Sequence, residues 1–209
     1  MSFRRKPLAL KPRMQVSDLH QRLTDALSRE GRASSDFDLN LDIALPQVQL
    51  TPAAVLFAVR AETETVILTK RSARLKHHPG QIAFAGGKQD AGDLTLTAAA
   101  LREAHEEIGL LPDQVDVLGV LPPHQTVTGY LITPVLAMVH GPFDATPEAS
   151  EVSEVFEVPL AHLTNPAQYR TEGRHWQGRK RLYYTVPYGP YYIWGATARI
   201  LRAFADRVS

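Results

Sequence analysis

Residues 86–110, GGKQDAGDLTLTAAALREAHEEIGL, constrain the fold more than any other stretch of the chain. The glycine pair Gly86 and Gly87 opens it, a short polar segment follows, and a helix carrying Glu103, Glu106 and Glu107 closes at Gly109. Helical residues three and four apart share a face. At ~100° per residue the glutamates fall within an arc of roughly 100°. Leu101, Ala104 and Ile108 fall on the opposite side and are expected to face a core. Like charges at this spacing destabilise an isolated helix by about 0.2–0.5 kcal/mol per pair. Two readings are open at this point. The glutamates form a solvated acidic face, or they are hard oxygen donors that become favourable once a divalent cation sits between them.

A chain of 209 residues suits one domain with elaborations. Residues 1–50 read as a tail, a short helix and a wrapping loop, and residues 51–209 as the main domain with a C-terminal helix. A formal net charge of +1 argues against a general nucleic-acid binder. No apolar run approaches the ~20 residues needed to span a membrane. The absence of cysteine excludes disulfides and thiolate chemistry and fits a cytoplasmic location. The basic start, with Arg4, Arg5, Lys6, Lys11 and Arg13, lacks the apolar core of a secretory signal. The histidines show no zinc spacing. Lys88 is no phosphate-loop lysine, because Ile82 stands at the first glycine and Gln89 at the hydroxyl position.

Val16, Leu19, Leu23 and Leu27 recur at helical spacing, with Ser17-Asp18 as the expected cap. Residues 52–60 (PAAVLFAVR) read as a buried strand that turns at Glu62-Thr63 into a second strand over 66–69, a hairpin. Strands are expected at 115–120, 130–140 and 155–158, and a late hairpin at 182–186 with 191–194. Ile193, Thr197, Ile200, Leu201, Phe204 and Val208 form an apolar stripe on a C-terminal helix. Before the glycine pair, Lys70, Arg71, Arg74, Lys76, His77 and His78 put six cationic or ionisable side chains within nine residues. Such a segment is a solvated loop or one side of a phosphate site whose other side is metal. His105 reads as a surface histidine or a substrate contact.

The stretch from Gly87 to Leu110 resembles the Nudix box, G-x5-E-x7-R-E-U-x-E-E-x-G-U with U aliphatic. Gly87, Arg102, Glu103, Glu106, Glu107 and Gly109 match, with Ala104 and Leu110 at aliphatic positions. Asp93 stands where the first glutamate is expected, one residue out of register, and is not counted as a ligand. Residues 67–90, ILTKRSARLKHHPGQIAFAGGKQD, resemble the extra signature of the coenzyme A pyrophosphatase branch of Nudix hydrolases. Leu68, Thr69, Arg71, Ser72, Gly80, Phe84, Gly86, Gly87 and Asp90 match, whereas His77 replaces an arginine and Ala85 a proline.

The resemblance implies an α/β fold, a Nudix-type α/β/α sandwich with a mixed, partly antiparallel sheet. It implies cleavage of coenzyme A or acyl-coenzyme A to adenosine 3′,5′-bisphosphate and 4′-phosphopantetheine, with Mg2+ or Mn2+ held by Glu103, Glu106 and Glu107. Arg102 is expected to pair with a nearby carboxylate and set its rotamer. Arg71, Lys76, His77, Phe84, Gly86 and Gly87 are the expected substrate contacts. Glu106, Glu151 and Glu154 are the candidates for general base. The partner is a small nucleotide of the coenzyme A type, neither nucleic acid nor membrane, and a homodimer is allowed. Another nucleoside diphosphate derivative, such as ADP-ribose or a dinucleotide, is the second reading, and a non-catalytic nucleotide-binding domain the third.

Overall fold

A computed structural model describes residues 13–40, 43, 49–176 and 178–208. The expectations for Arg4, Arg5, Lys6 and Lys11 fall outside the described residues. The elements in chain order are α1 (Arg13–Ser28), β1 (Ser34–Ser35), β2 (Thr51–Arg60), β3 (Thr65–Arg71), β4 (Ile82–Ala83), β5 (Gly86–Lys88) and α2 (Leu96–Ile108). There follow β6 (Val115–Val120), β7 (His124–Gln125), β8 (Tyr130–Val139), β9 (Val152–Pro159), α3 (Leu160–Leu163), β10 (Arg170–Trp176), β11 (Arg179–Thr185) and α4 (Gly195–Val208).

β2 organises the sheet. It runs parallel to β8 from Thr51↔Tyr130 to Arg60↔Val139 and turns antiparallel into β3 at Val59↔Val66. Its other edge, at Ala53 to Val55, takes β5 antiparallel, which sets Gly86 opposite Val55 and Gly87 opposite Ala54. β9 extends β3 antiparallel, and β6 and β7 pair with β8. The result is a mixed sheet with parallel and antiparallel strands and helices on both faces. β10 and β11 form a separate two-stranded sheet.

Alternation along β2 explains the layering, since successive side chains point to opposite faces. Phe57 and Val59 meet α4 and α1 in one core, whereas Ala54, Leu56 and Ala58 meet α2 in the other. Leu19, Leu23 and Ala26 of α1 join the first core beside Phe204. The C-terminal stripe is buried at Thr197, Ile200, Leu201 and Phe204.

Several expectations need correction. Ser17-Asp18 does not cap α1, which already begins at Arg13. The wrapping loop contains β1, which pairs parallel with β7. β9 begins at Val152 rather than 155, because its whole length is held by β3. The late hairpin is built by β10 and β11, from Arg170↔Thr185 to Trp176↔Arg179. The predicted pair at 182–186 and 191–194 survives only as bridges at Thr185↔Trp194 and Tyr188↔Tyr191. No helix among the described residues is long and apolar enough to cross a membrane.

Candidate active site

α2 is set by its ends and by small side chains. Thr95 caps it in extended conformation, its hydroxyl accepting from the Ala98 N–H at 3.0 Å. Gly109 ends it at φ 73, a left-handed cap that suits glycine. Ala99, Ala100 and Ala104 are buried against Ala54 and Ala58, so helix and strand approach closely. That approach sets the glycines. A Cβ at Gly87 would lie 2.4 Å from Glu103 Oε1, and one at Gly86 would lie 2.4 Å from the Ala54 carbonyl oxygen. At Gly86 a side chain would strike the β2 backbone, and at Gly87 it would push the Glu103 carboxylate aside.

The glutamates do not share one environment. Glu107 is 4 % exposed and accepts the Gly86 N–H at 3.1 Å. Burial pushes its carboxyl up to about 7; the Gly86 N–H opposes this, Glu103 and Glu151 add to it, and Arg71 opposes it. Glu103 is also raised, first by burial, against the opposing pull of Arg102. Glu106 points outward, 2.8 Å from Arg102 Nη1. Of the two readings, the solvated acidic face fails at Glu107, which lies at the edge of the arc and is covered by β5.

Arg102 joins the segment before α2 to the helix. Its Nε and Nη2 donate to the two Asp93 carboxylate oxygens at 3.0 and 2.9 Å. Its Nη1 lies 3.0 Å from Glu103 Oε1, and Nη2 donates to the Lys88 carbonyl at 3.3 Å. This pairing holds the Asp93 carboxyl below the usual aspartate range, helped by the Asp90 N–H. Asp93, out of register in the box, is thus the partner of Arg102.

A third carboxylate arrives from far along the chain. The N–H groups of Thr146 and Glu148 donate to the Ile108 and Glu107 carbonyls at 3.0 and 2.9 Å, which satisfies the open end of α2. That path delivers Glu151, whose charge raises both Glu103 and Glu107. No local spacing marks Glu151, because long-range pairing brings it in. Glu154 accepts from the Tyr191 hydroxyl at 2.5 Å and is committed there.

Among the described residues, no three histidine, aspartate or glutamate side chains already converge as a metal cluster. The expected trio is not assembled, since Glu106 leans on Arg102. The donor chemistry still fits a hard divalent cation. Glu103, Glu107 and Glu151 repel one another, and two of them are raised mainly by burial. An added cation relieves both burdens.

The expected substrate contacts divide. Arg71 ends β3, and its charge lowers the Glu107 carboxyl. Its N–H donates to the Gln81 carbonyl and its carbonyl accepts from Gly80, closing the cationic loop at its base. Lys76 and His77 stand exposed on that loop. The Ser72 N–H donates to the Glu151 carbonyl at 2.7 Å, which ties loop and carboxylates together. Phe84 is a correction: it is buried, its ring 5.1 Å from that of Phe57, and it serves the core. His105 is exposed near the end of α2.

Comparison with known proteins agrees with this geometry. The NUDIX domain family matches residues 49–183. An uncharacterized Nudix hydrolase NudL from Enterobacter sp. (strain 638) is 39% identical over 184 residues, covering 82% of this chain and 96% of that protein. NudL of Klebsiella pneumoniae (strain 342) is 40% identical over 187 residues, covering 83% and 97%. The crystal structure of the MutT protein from Methanosarcina mazei Go1 shares the fold at a TM-score of 0.50 with 16% identity, over 78% of this chain and 96% of that one. A buried carboxylate helix against a glycine pair, in a domain matched over most of its length, assigns the chain to the Nudix hydrolase family.

Proposed function

We propose that this Nudix hydrolase cleaves the diphosphate of coenzyme A or its acyl derivatives, giving adenosine 3′,5′-bisphosphate and 4′-phosphopantetheine. The carrying observation is the cationic loop from Arg71 to Gly80, hydrogen-bonded through Ser72 to Glu151 beside the carboxylates. This loop holds the stretch that resembles the coenzyme A branch. Arg71 and Lys76 would supply cations for a diphosphate, and His77 a ring N–H donor.

Glu103 and Glu107 would hold the Mg2+ or Mn2+, with the Glu151 charge beside them. A divalent cation there supplies charge neutralisation at the phosphoryl oxygens and lowers the pKa of water toward neutrality. The protein's own groups prepare that site. The Gly86 N–H orients the Glu107 carboxylate, and Arg102 fixes Glu103 while keeping Glu106 outward. Among the candidate bases, Glu106 is engaged by Arg102 and Glu154 by Tyr191, so Glu151 is assigned to accept the proton of the attacking water.

His77 and Ala85, which depart from the branch pattern, favour as second reading another nucleoside diphosphate derivative. The two separate in one assay. The protein is incubated with Mg2+ or Mn2+ and with coenzyme A, NADH, ADP-ribose and diadenosine polyphosphates, and products are identified by mass spectrometry. Turnover of coenzyme A to the two named products is expected. Brisk turnover of another compound with none of coenzyme A overturns the substrate assignment. Arg71→Ala is expected to raise KM for coenzyme A, and an unchanged KM removes Arg71 from the site.

A further inference from the structure

The hairpin β10–β11 carries charge that the carboxylate site does not use. Residues 170–181 hold Arg170, Arg174, Arg179, Lys180 and Arg181 against one acidic residue, Glu172. Residues opposite each other in an antiparallel pair lie on the same face. The register Glu172↔Tyr183 and Arg174↔Arg181 therefore puts Arg174, Glu172 and Tyr183 on one face. Arg174 and Arg181 are directly opposite but are met separately, the Arg181 guanidinium lying over the Phe37 ring at 5.7 Å.

The segment before α4 completes that face. The Tyr192 hydroxyl donates to Glu172 Oε2 at 2.8 Å and lies 3.3 Å from the Tyr183 hydroxyl. Trp194 meets Tyr183 edge-on at 5.3 Å, and the Arg174 guanidinium lies over the Trp194 ring at 4.6 Å. Tyr192 remains 43% exposed, an aromatic ring whose orientation is fixed at its hydroxyl end. The preceding residue, Tyr191, stacks on Phe156 at 3.6 Å and donates to Glu154. Just beyond Trp194, the Thr197 hydroxyl donates to the Ile82 carbonyl at 3.0 Å, which ties the aromatic face to the end of the cationic loop.

We propose that this face binds the nucleotide end of the substrate, with the adenine ring stacked on Tyr192 and the 3′-phosphate paired with Arg174. The inference rests on the coenzyme A reading above. In that substrate the cleaved diphosphate is joined directly to the 3′-phosphoadenosine, so a phosphate-binding loop at Arg71 needs a base site close by. An exposed tyrosine offers a π-face to a purine. Glu172 adds acceptor oxygens for an exocyclic amine. Trp194 holds the Arg174 guanidinium in place, and its fork matches phosphate geometry.

Calorimetry on the full chain tests this with two ligands, adenosine 3′,5′-bisphosphate and AMP, which lacks the 3′-phosphate. Tyr192→Ala is expected to weaken both about tenfold. Tyr192→Phe keeps the π-face but loses the hydroxyl bond to Glu172, and should weaken both by less than Tyr192→Ala does. Arg174→Ala is expected to weaken the bisphosphate about fivefold and leave AMP unchanged. Unaltered binding in Tyr192→Ala, or an equal loss of both ligands in Arg174→Ala, overturns the proposal. Bisphosphate binding that follows this pattern without coenzyme A cleavage defeats the substrate reading and leaves the hairpin site standing. Coenzyme A cleavage with unchanged KM in Tyr192→Ala and Arg174→Ala does the reverse.

Discussion

The two faces of the central sheet are packed on different principles. Toward α4 and α1, β2 and β8 present Phe57, Val59, Leu136 and Met138, which meet Phe204, Leu201 and Leu23. Toward α2 the same strands present Ala54, Ala58, Val135 and Ala137, which meet Ala99, Ala100 and Ala104. Large side chains each contribute about 1.5–3 kcal/mol on burial, and alanine contributes far less. The alanine face gives up buried area and gains proximity. Glu103 and Glu107 reach Gly87 and Gly86 because the residues of β2 beside them are small, with Ala54 opposite Gly87 and Leu56 the one large side chain that β2 turns toward α2. Stability is concentrated on one side of the sheet and chemistry on the other.

Truncation on the large-residue face gives the largest effect. Phe204 is 1% exposed, with its ring 4.8 Å from that of Phe57. Phe204→Ala should cost about 3–5 kcal/mol in urea unfolding. Below its melting temperature the folded variant should keep its kcat/KM, because Phe204 packs on the face of the sheet opposite α2. A parallel fall in activity per folded molecule would falsify the division of labour.

The next effect comes from the chemical face and runs in the opposite sense. Glu107 holds its proton up to about 7 when folded, against 4.5 ordinarily. The proton-linked stability is complete below pH 4.5 and fades as pH rises through 7. Without metal, stability should fall across that window by up to about 3 kcal/mol. Asp93 does not mask this, since its carboxyl is depressed below 3.8 and its contribution is lost only in stronger acid. Glu107→Gln should flatten the slope, stabilise the metal-free protein at pH 8 and abolish turnover. Added Mg2+ should restore stability at pH 8 in the wild type alone. A wild-type stability that is level from pH 5 to 8 without metal removes the buried charge from the argument.

Overpacking comes third. Ala104 is 1% exposed between Glu103 and Glu107 on α2. Ala104→Leu should cost about 1–3 kcal/mol as the helix lifts from the sheet. Turnover should fall about a hundredfold, since a displacement near 1 Å is enough for that. Loss of stability without loss of rate would show that the carboxylates tolerate a looser α2.

The regions differ in legibility for a related reason. α2, β6, β8 and α4 follow local periodicity, and the spacing from Val16 to Leu27 marked α1 although not its start. Leu101, Ala104 and Ile108 marked the packing face of α2, where Ala104 and Ile108 are buried, whereas the contribution of Ala99 and Ala100 was not read from the sequence. Burial of Glu107 was not visible, because its cover is β5, twenty-one residues upstream through the Gly86 N–H. Phe84 sits inside a motif whose irregular β4–β5 path does not reveal which way a ring turns. Glu151 depends on hydrogen bonds from residues 146–148 to the end of α2. The β10–β11 hairpin was missed since it has no apolar alternation. Cross-strand pairing and contacts such as Arg174 on Trp194 support it, and neither leaves a period in the sequence.

The smallest effect lies at the start of α2. Thr95 is exposed and contributes one hydrogen bond, to the Ala98 N–H. Thr95→Ala should cost about 1 kcal/mol and Thr95→Ser almost nothing, because serine caps equally well. Glu103 and Glu107 lie more than a turn further along, fixed by Arg102 and by the Gly86 N–H rather than by the cap. Thr95→Ala should therefore lower the melting temperature and leave kcat/KM within about twofold, well short of the tenfold that 1.4 kcal/mol would bring. A tenfold loss of rate would mean that the alanine interface alone cannot hold α2 in place. The cap would then belong to the chemistry, and the close approach at Gly86 and Gly87 would depend on both ends of the helix.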